Sequence, residues 1–204
     1  MLVVGLTGSI GMGKSTLAGH LRARGIAVCD ADAEVHKLYV SAAAPLIEAA
    51  FPGATAGGVV DRQKLSALLA RDPSGFQRLE AIVHPLVRQA ERDFLHREHG
   101  KRAKLAVLEI PLLFETGGEK LVDAVILAST SDAARRARVL ERPGMTPEKL
   151  DLIISRQLPE PAKRTKTDFV VDTGLPLAES LAALGSILDK LSTRPASAFA
   201  RYWA

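Results

Sequence analysis

The chain has 204 residues, the length of one compact unit or of one core with small insertions. Its 27 Lys and Arg against 23 Asp and Glu leave a formal charge of only +4, which suits anionic ligands but is too small a surplus to specify nucleic acid. A composition with 47% hydrophobic and 25% charged residues excludes general disorder, 4% aromatics argue for an aliphatic core and against a base-stacking surface, and a single cysteine, Cys29, excludes disulfides and cysteine metal clusters.

Residues 2–6 form a short apolar run ahead of Thr7-Gly8, the pattern of a strand buried on both faces. The run has no basic leader and no small-residue cleavage site, so it reads as mature structure, and no apolar stretch reaches the roughly 18 residues of a membrane span. A cytoplasmic protein with no membrane and no nucleic-acid partner is expected. Residues 15–24 place Leu17, Ala18 and Leu21 on one helical side, with Gly25 as the stop. Residues 26–29 are a second strand, followed at once by Asp30-Ala31-Asp32. Strand, loop, helix and strand in so short a span make a βαβ unit and so a parallel sheet.

From 34 to about 103 the pattern is almost wholly helical, over 61–70, 75–83 and 85–98, with His84-Pro85 joining the last two helices. A crossover needs only about a dozen residues, so the excess predicts a helical insert over one edge of the sheet. Further strands are predicted at 105–108, 124–127 and 169–171. An arginine-rich helix over 133–142 breaks at Pro143-Gly144 and restarts at Thr146-Pro147-Glu148, where Thr caps and Pro takes the first position. Residues 176–191 read as an amphipathic closing helix. From Ser192 to Ala204 the composition turns to Ser, Pro and Ala, which predicts a loose tail.

Gly8-Ser9-Ile10-Gly11-Met12-Gly13-Lys14-Ser15 fits G-x-x-x-x-G-K-[ST]. Glycines let the backbone curl so that successive N–H groups face one centre, and the helix that opens at Lys14 adds its positive end. Lys14 supplies a cation for β/γ oxygens, and the Ser15 hydroxyl is the expected Mg²⁺ ligand. A buried strand before the motif and an amphipathic helix after it make a chance glycine turn a poor alternative. The chain is expected to bind a nucleoside triphosphate.

The carboxyl end of the second strand shares the sheet edge with this loop, so Asp30 and Asp32 are both candidates for a general base, and both are also candidates for helix capping, Asp30 more than Asp32. Glu109, at the end of the third strand, is a candidate for holding a Mg²⁺-bound water or is a solvated strand end. Glu115, in Pro111-Leu112-Leu113-Phe114-Glu115, sits among apolar residues and requires a basic partner, in ligand or protein. His84 and Arg88 lie one turn apart and share a side. Arg135, Arg136 and Arg138 read as a solvated face. Arg142 abuts the Pro143-Gly144 break, where a hinged lid would bring its guanidinium to a transferring phosphate.

The ordered set of residues 6–16, Asp30-Ala31-Asp32, His84-Pro85-Leu86-Val87-Arg88, Ile110-Pro111-Leu112-Leu113-Phe114-Glu115, Arg142 before a Gly, Arg156-Gln157 and Asp168-Phe169-Val170-Val171-Asp172 resembles the dephospho-coenzyme A kinase family over nearly the whole chain. The resemblance implies a P-loop kinase-like α/β fold, a five-stranded parallel sheet flanked by helices with a helical substrate-binding insert and a lid. In this chain that means a core over 1–33, 104–141 and 166–191, the insert over about 34–103 and the lid over about 142–165. It implies ATP-dependent phosphorylation of the ribose 3′-hydroxyl of dephospho-CoA, with Mg²⁺. Asp32 is then the base, and Lys14 and Arg142 stabilise phosphoryl charge. Gly8, Gly11, Met12, Gly13, Lys14, Ser15 and Thr16 bind ATP. Asp32, His84, Arg88, Leu113 and Glu115 bind the acceptor, and Ser15, with Glu109 through water, binds the metal. Four departures stand out: Ser9 where Gly is usual, Met12 where a small residue is usual, Glu109 where Asp is common, and Thr173 in place of Asn. Two other readings are a kinase of the same fold class with a different acceptor and a regulatory NTPase. A guanine-reading Asn-Lys-x-Asp stretch does not occur.

Overall fold

Strand β1 (Leu2–Thr7) carries no polar alternation because both of its faces are covered, and all six residues are buried. It is the central strand of a five-stranded parallel sheet in the order β2-β5-β1-β6-β7, with β2 spanning Ala27–Asp30, β5 Leu105–Glu109, β6 Ala124–Ser129 and β7 Phe169–Asp172. Pairing runs Leu2↔Leu105 on one side of β1, Val4↔Ala124 on the other, and Ile126↔Phe169 further out. The computed structural model describes residues 1–72 and 74–204. They divide into two compact units, one of residues 1–29 and 95–204 and one of residues 30–94.

In the sheet unit, helix α1 (Lys14–Ala23) buries Leu17, Ala18 and Leu21, and α9 (Leu177–Ser192) buries Leu184, Ile187 and Leu191. These meet Val4, Leu6, Val107, Ile126 and Val171 in one aliphatic core. Side chains of this size are each worth roughly 1.5–3 kcal/mol when fully buried. The break after α6 (Asp132–Leu140) is a turn over residues 142–145, closed by Met145 N donating to Arg142 O at 3.1 Å. Pro143 takes its second position and Gly144, at φ 75°, its third, as a type II turn requires. Helix α7 (Pro147–Ser155) then starts where Thr146 Oγ1 accepts from Lys149 N, with Pro147 at the first helical position.

The expected loose tail is a correction. Residues 197–204 are docked: Phe199–Trp203 form a helical turn, and Trp203 is the largest wholly buried side chain, so the core is not aliphatic throughout. Its Nε1 donates to Leu121 O at 2.7 Å, and its carbonyl lies 2.7 Å from His96 Nε2. Asp123 joins the tail to the sheet, one carboxylate oxygen accepting from Val3 N and the other from Ser197 N and Ala198 N. The Ser-Pro-Ala composition conceals two aromatic residues four apart, Phe199 and Trp203, which share one side of a turn.

The helical unit contains α2 (Ala31–Tyr39), α3 (Ala43–Ala50), α4 (Arg62–Arg71) and most of α5 (Gly75–Gly100), whose turns from Leu95 onward belong to the sheet unit. It also holds a two-strand hairpin, β3 (Thr55–Ala56) and β4 (Val59–Val60), which turns through Gly57-Gly58 and is not among the strands expected from the sequence. Its own core gathers Ala43, Ala44, Ile47, Phe51, Val60, Leu65, Leu69 and Val83. The two helices expected to meet at His84-Pro85 are one helix with Pro85 inside it. An interior proline removes one backbone bond at a cost of about 3 kcal/mol. Packing of Val83, with Ile82, Leu86 and Val87 against the same core, carries the helix through it.

Candidate active site

The phosphate loop lies between β1 and α1. Its middle is a tight turn in which Met12 N donates to Ser9 O at 3.2 Å, with Gly11 at φ 76° in the position that demands the left-handed region. A Cβ on Gly11 would also stand 2.5 Å from Val139 Cγ2 and 3.0 Å from Arg135 O. Gly13, at φ 81°, precedes the helix, and its Cβ would come within 3.0 Å of the Thr173 side chain. Glycine at both positions is thus required by backbone angle and by contact. Lys14 Nζ donates back to the carbonyls of Gly8 and Ser9, which holds the ammonium over the loop. Ser15 and Thr16, on the first turn of α1, are exposed.

Three of the four departures from the family pattern have a structural setting in the sheet unit. The Met12 side chain is 2% exposed and packs in the sheet core, so only its backbone lines the loop. Ser9 is also buried. Thr173 braces the loop from outside. Its hydroxyl donates toward Met12 O at 2.9 Å, while Arg138 donates to Thr173 O at 2.7 Å, which ties the turn after β7 to the loop. The other arginines of α6 also bind neighbouring protein groups. Arg135 pairs with Asp132, and Arg136 with Asp132 and with Asp151 on α7. Arg142 is exposed at the type II turn.

Glu109 ends β5 opposite Leu6, the residue before Thr7 and the loop, with a carboxylate that is only 4% exposed. Arg22 on α1 stands 3.5 Å from it and offsets part of its charge. No group of three His, Cys, Asp or Glu gathers among the described residues to hold a metal by protein ligands alone. One hydroxyl and one carboxylate, Ser15 and Glu109, are hard oxygen donors, the sparse set that suits Mg²⁺ completed by phosphate and water.

The Pro111–Glu115 segment packs within the sheet unit. Leu113 is fully buried against Val125 and Phe114, and Gly5 and Gly118 leave room for it. Glu115 finds its basic partner within the protein: Lys163 Nζ lies 3.0 Å away and is wholly buried, and Leu158 N donates to the same carboxylate oxygen at 2.7 Å. Lys163 gives no local signal, since nothing in its own neighbourhood in sequence marks it for burial. Gln157, beside Leu158, accepts from Ile10 N of the phosphate loop at 3.3 Å.

In the helical unit, Asp30 caps α2, its carboxylate accepting from Ala33 N at 3.1 Å. Asp32 is exposed in the first turn of the same helix. His84 is exposed on α5, and Arg88 pairs one turn on with Glu91 at 3.0 Å. Glu91 is 3% exposed; burial pushes its carboxyl up to about 7 against the opposing pull of Arg88. Neither residue pattern nor periodicity marks Glu91 in the sequence.

A sequence model of dephospho-CoA kinases matches residues 2–178. A dephospho-CoA kinase of Rhodopseudomonas palustris is 52% identical over 195 residues, covering 96% of this chain and 98% of its own length. Among solved structures, TT1252 from Thermus thermophilus superimposes with a TM-score of 0.78 at 35% identity, over 93% of this chain and 97% of that one. A dephospho-CoA kinase from Campylobacter jejuni superimposes at 0.69 with 25% identity, over 93% and 96%.

Proposed function

The chain belongs to the dephospho-CoA kinase family, and we infer from this that it transfers the γ-phosphoryl group of ATP to the ribose 3′-hydroxyl of dephospho-CoA, giving coenzyme A and ADP. The observation that carries the reading is a phosphate loop held by its own glycines between a buried strand and a helix, in a chain matched to the family over residues 2–178. Gly8, Gly11, Met12, Gly13, Lys14, Ser15 and Thr16 take the triphosphate at the positive end of α1, and Lys14 serves the β/γ oxygens. The 3′-oxygen bonds to the γ-phosphorus as the bond to the bridging oxygen of ADP breaks, and the hydroxyl proton passes to Asp32. Capping by Asp30 supports Asp32 for this role, since it leaves one of the two carboxylates committed to Ala33 N. A positioned base is worth roughly 10²–10⁴-fold.

Lys14 and Arg142 offset the charge of the transferring group, with Arg142 carried by the lid over about 142–165. His84 and Arg88 hold the acceptor. Ser15, and Glu109 through water, would hold Mg²⁺, which when bound offsets charge on the β and γ phosphates. No described helix is long and apolar enough to cross a membrane, and a cytoplasmic setting belongs to the same reading. The test is ADP release from Mg·ATP with purified protein and a panel of dephospho-CoA, adenosine, AMP and gluconate. Dephospho-CoA is expected to be turned over far faster than the rest; equal or greater turnover of another alcohol would overturn the assignment.

A further inference from the structure

One amide of the phosphate loop is bound from outside the loop. In the turn over Ser9–Met12, Met12 N closes the ring and Ile10 occupies the second position, whose N–H takes no part in a turn of this type. That N–H donates to Gln157 Oε1 at 3.3 Å. Gln157 stands just beyond α7 at a junction between two unlike neighbours. The next residue, Leu158, is locked by its N–H to Glu115, whose carboxylate also holds the wholly buried Lys163. On the other side lies α7, with Leu152 half-exposed, and ahead of it the Pro143-Gly144 turn that carries Arg142.

We propose that Gln157 is a positioning residue of phosphoryl transfer: its side-chain carbonyl fixes the second position of the loop turn and links the phosphate loop to the segment that carries Arg142. The inference rests on the kinase function given above. The Glu115–Lys163 pair holds the backbone after Gln157, so the Gln157 side chain is not needed to keep the segment folded and is left to act on the loop. A bond at 3.3 Å is long for N–H···O, and such a contact adjusts as the segment shifts without tearing the loop.

The experiment compares Gln157→Ala and Gln157→Glu with the parent enzyme. Gln157→Ala should speed exchange of the Ile10 amide, followed by NMR, by about tenfold, because the amide loses its cross-element acceptor. It should lower kcat by about tenfold while leaving KM for dephospho-CoA unchanged, as expected of lost orientation rather than lost acceptor binding. Gln157→Glu keeps an acceptor oxygen and should restore slow Ile10 exchange. Unchanged Ile10 exchange or unchanged kcat in Gln157→Ala would overturn the proposal. So would a fall in Tm as large as that of Lys163→Met, which would make Gln157 a structural residue. Ile10 exchange is read without acceptor, so an inactive parent enzyme would count against the kinase function and leave this measurement to decide Gln157.

Discussion

The two units carry their proposed functional groups on different materials. In the sheet unit the proposed phosphate ligands are backbone amides, in a loop turned by Gly11 and Gly13, whose backbone angles and close neighbours leave no room for a side chain. In the helical unit the proposed groups are side chains on ordinary helical turns: Asp32 at the start of α2, and His84 and Arg88 one turn apart on α5. A site made of backbone is set by local conformation, so its failure is a failure to bind phosphate. A site made of side chains fails one chemical role at a time. The sharpest way to break this contrast is Asp32→Asn, which keeps shape and removes the base. It should lower kcat by roughly 10²–10⁴-fold with ATP affinity unchanged by calorimetry. Parent-like turnover would remove Asp32 from the chemistry.

Gly11→Ala should do the reverse. The methyl group meets Val139 Cγ2 at 2.5 Å in a backbone region that costs a non-glycine residue about 1–3 kcal/mol. The loop must shift, so ATP affinity should fall by about tenfold to a hundredfold while the affinity for dephospho-CoA stays put. A Gly11→Ala enzyme with parent-like ATP binding would show that the turn is not what holds the phosphates. Arg88→Ala gives a smaller effect on the other side of the comparison. KM for dephospho-CoA should rise by about tenfold and KM for ATP should not move, the loss of one charge-assisted contact. Equal changes in both constants would dissolve the distinction between the units' roles.

The same contrast explains what can be read from the sequence. The loop is legible because its chemistry and its conformation are written in eight consecutive residues, and the flanking strand and helix follow the simple rules of apolar runs and caps. The capping role of Asp30 is not, because two aspartates at a helix start look alike until the bond to Ala33 N is placed. Leu113 and Glu115 carry a segment that resembles the family, yet whether such residues face a ligand or a core depends on partners far along the chain, Val125 and Lys163. Pro85 reads as a boundary because local propensity gives no weight to the packing of Ile82, Val83, Leu86 and Val87 around it. The tail misleads for the opposite reason: polar composition outweighs Phe199 and Trp203, whose burial depends on His96, Leu121 and Asp123.

Glu91 provides the finest probe of how the helical unit holds its side chains. Its carboxyl lies 3.0 Å from Arg88 and is almost wholly buried, and burial raises it from the ordinary value of 4.5 to about 7. A raised acid binds its proton more tightly in the folded than in the unfolded chain, so folding gains stability as pH falls through 7 toward 4.5 and loses it as pH rises again. Between pH 8 and pH 6 the gain from this one group is about 1 kcal/mol. Glu91→Gln keeps an oxygen for Arg88 and removes the titration. In urea unfolding, the stability of the parent relative to Glu91→Gln should therefore improve by that amount on going from pH 8 to pH 6. If the difference between the two proteins is flat across this range, the carboxylate stays charged beside Arg88, and the guanidinium is held by a full ion pair at the pH of catalysis.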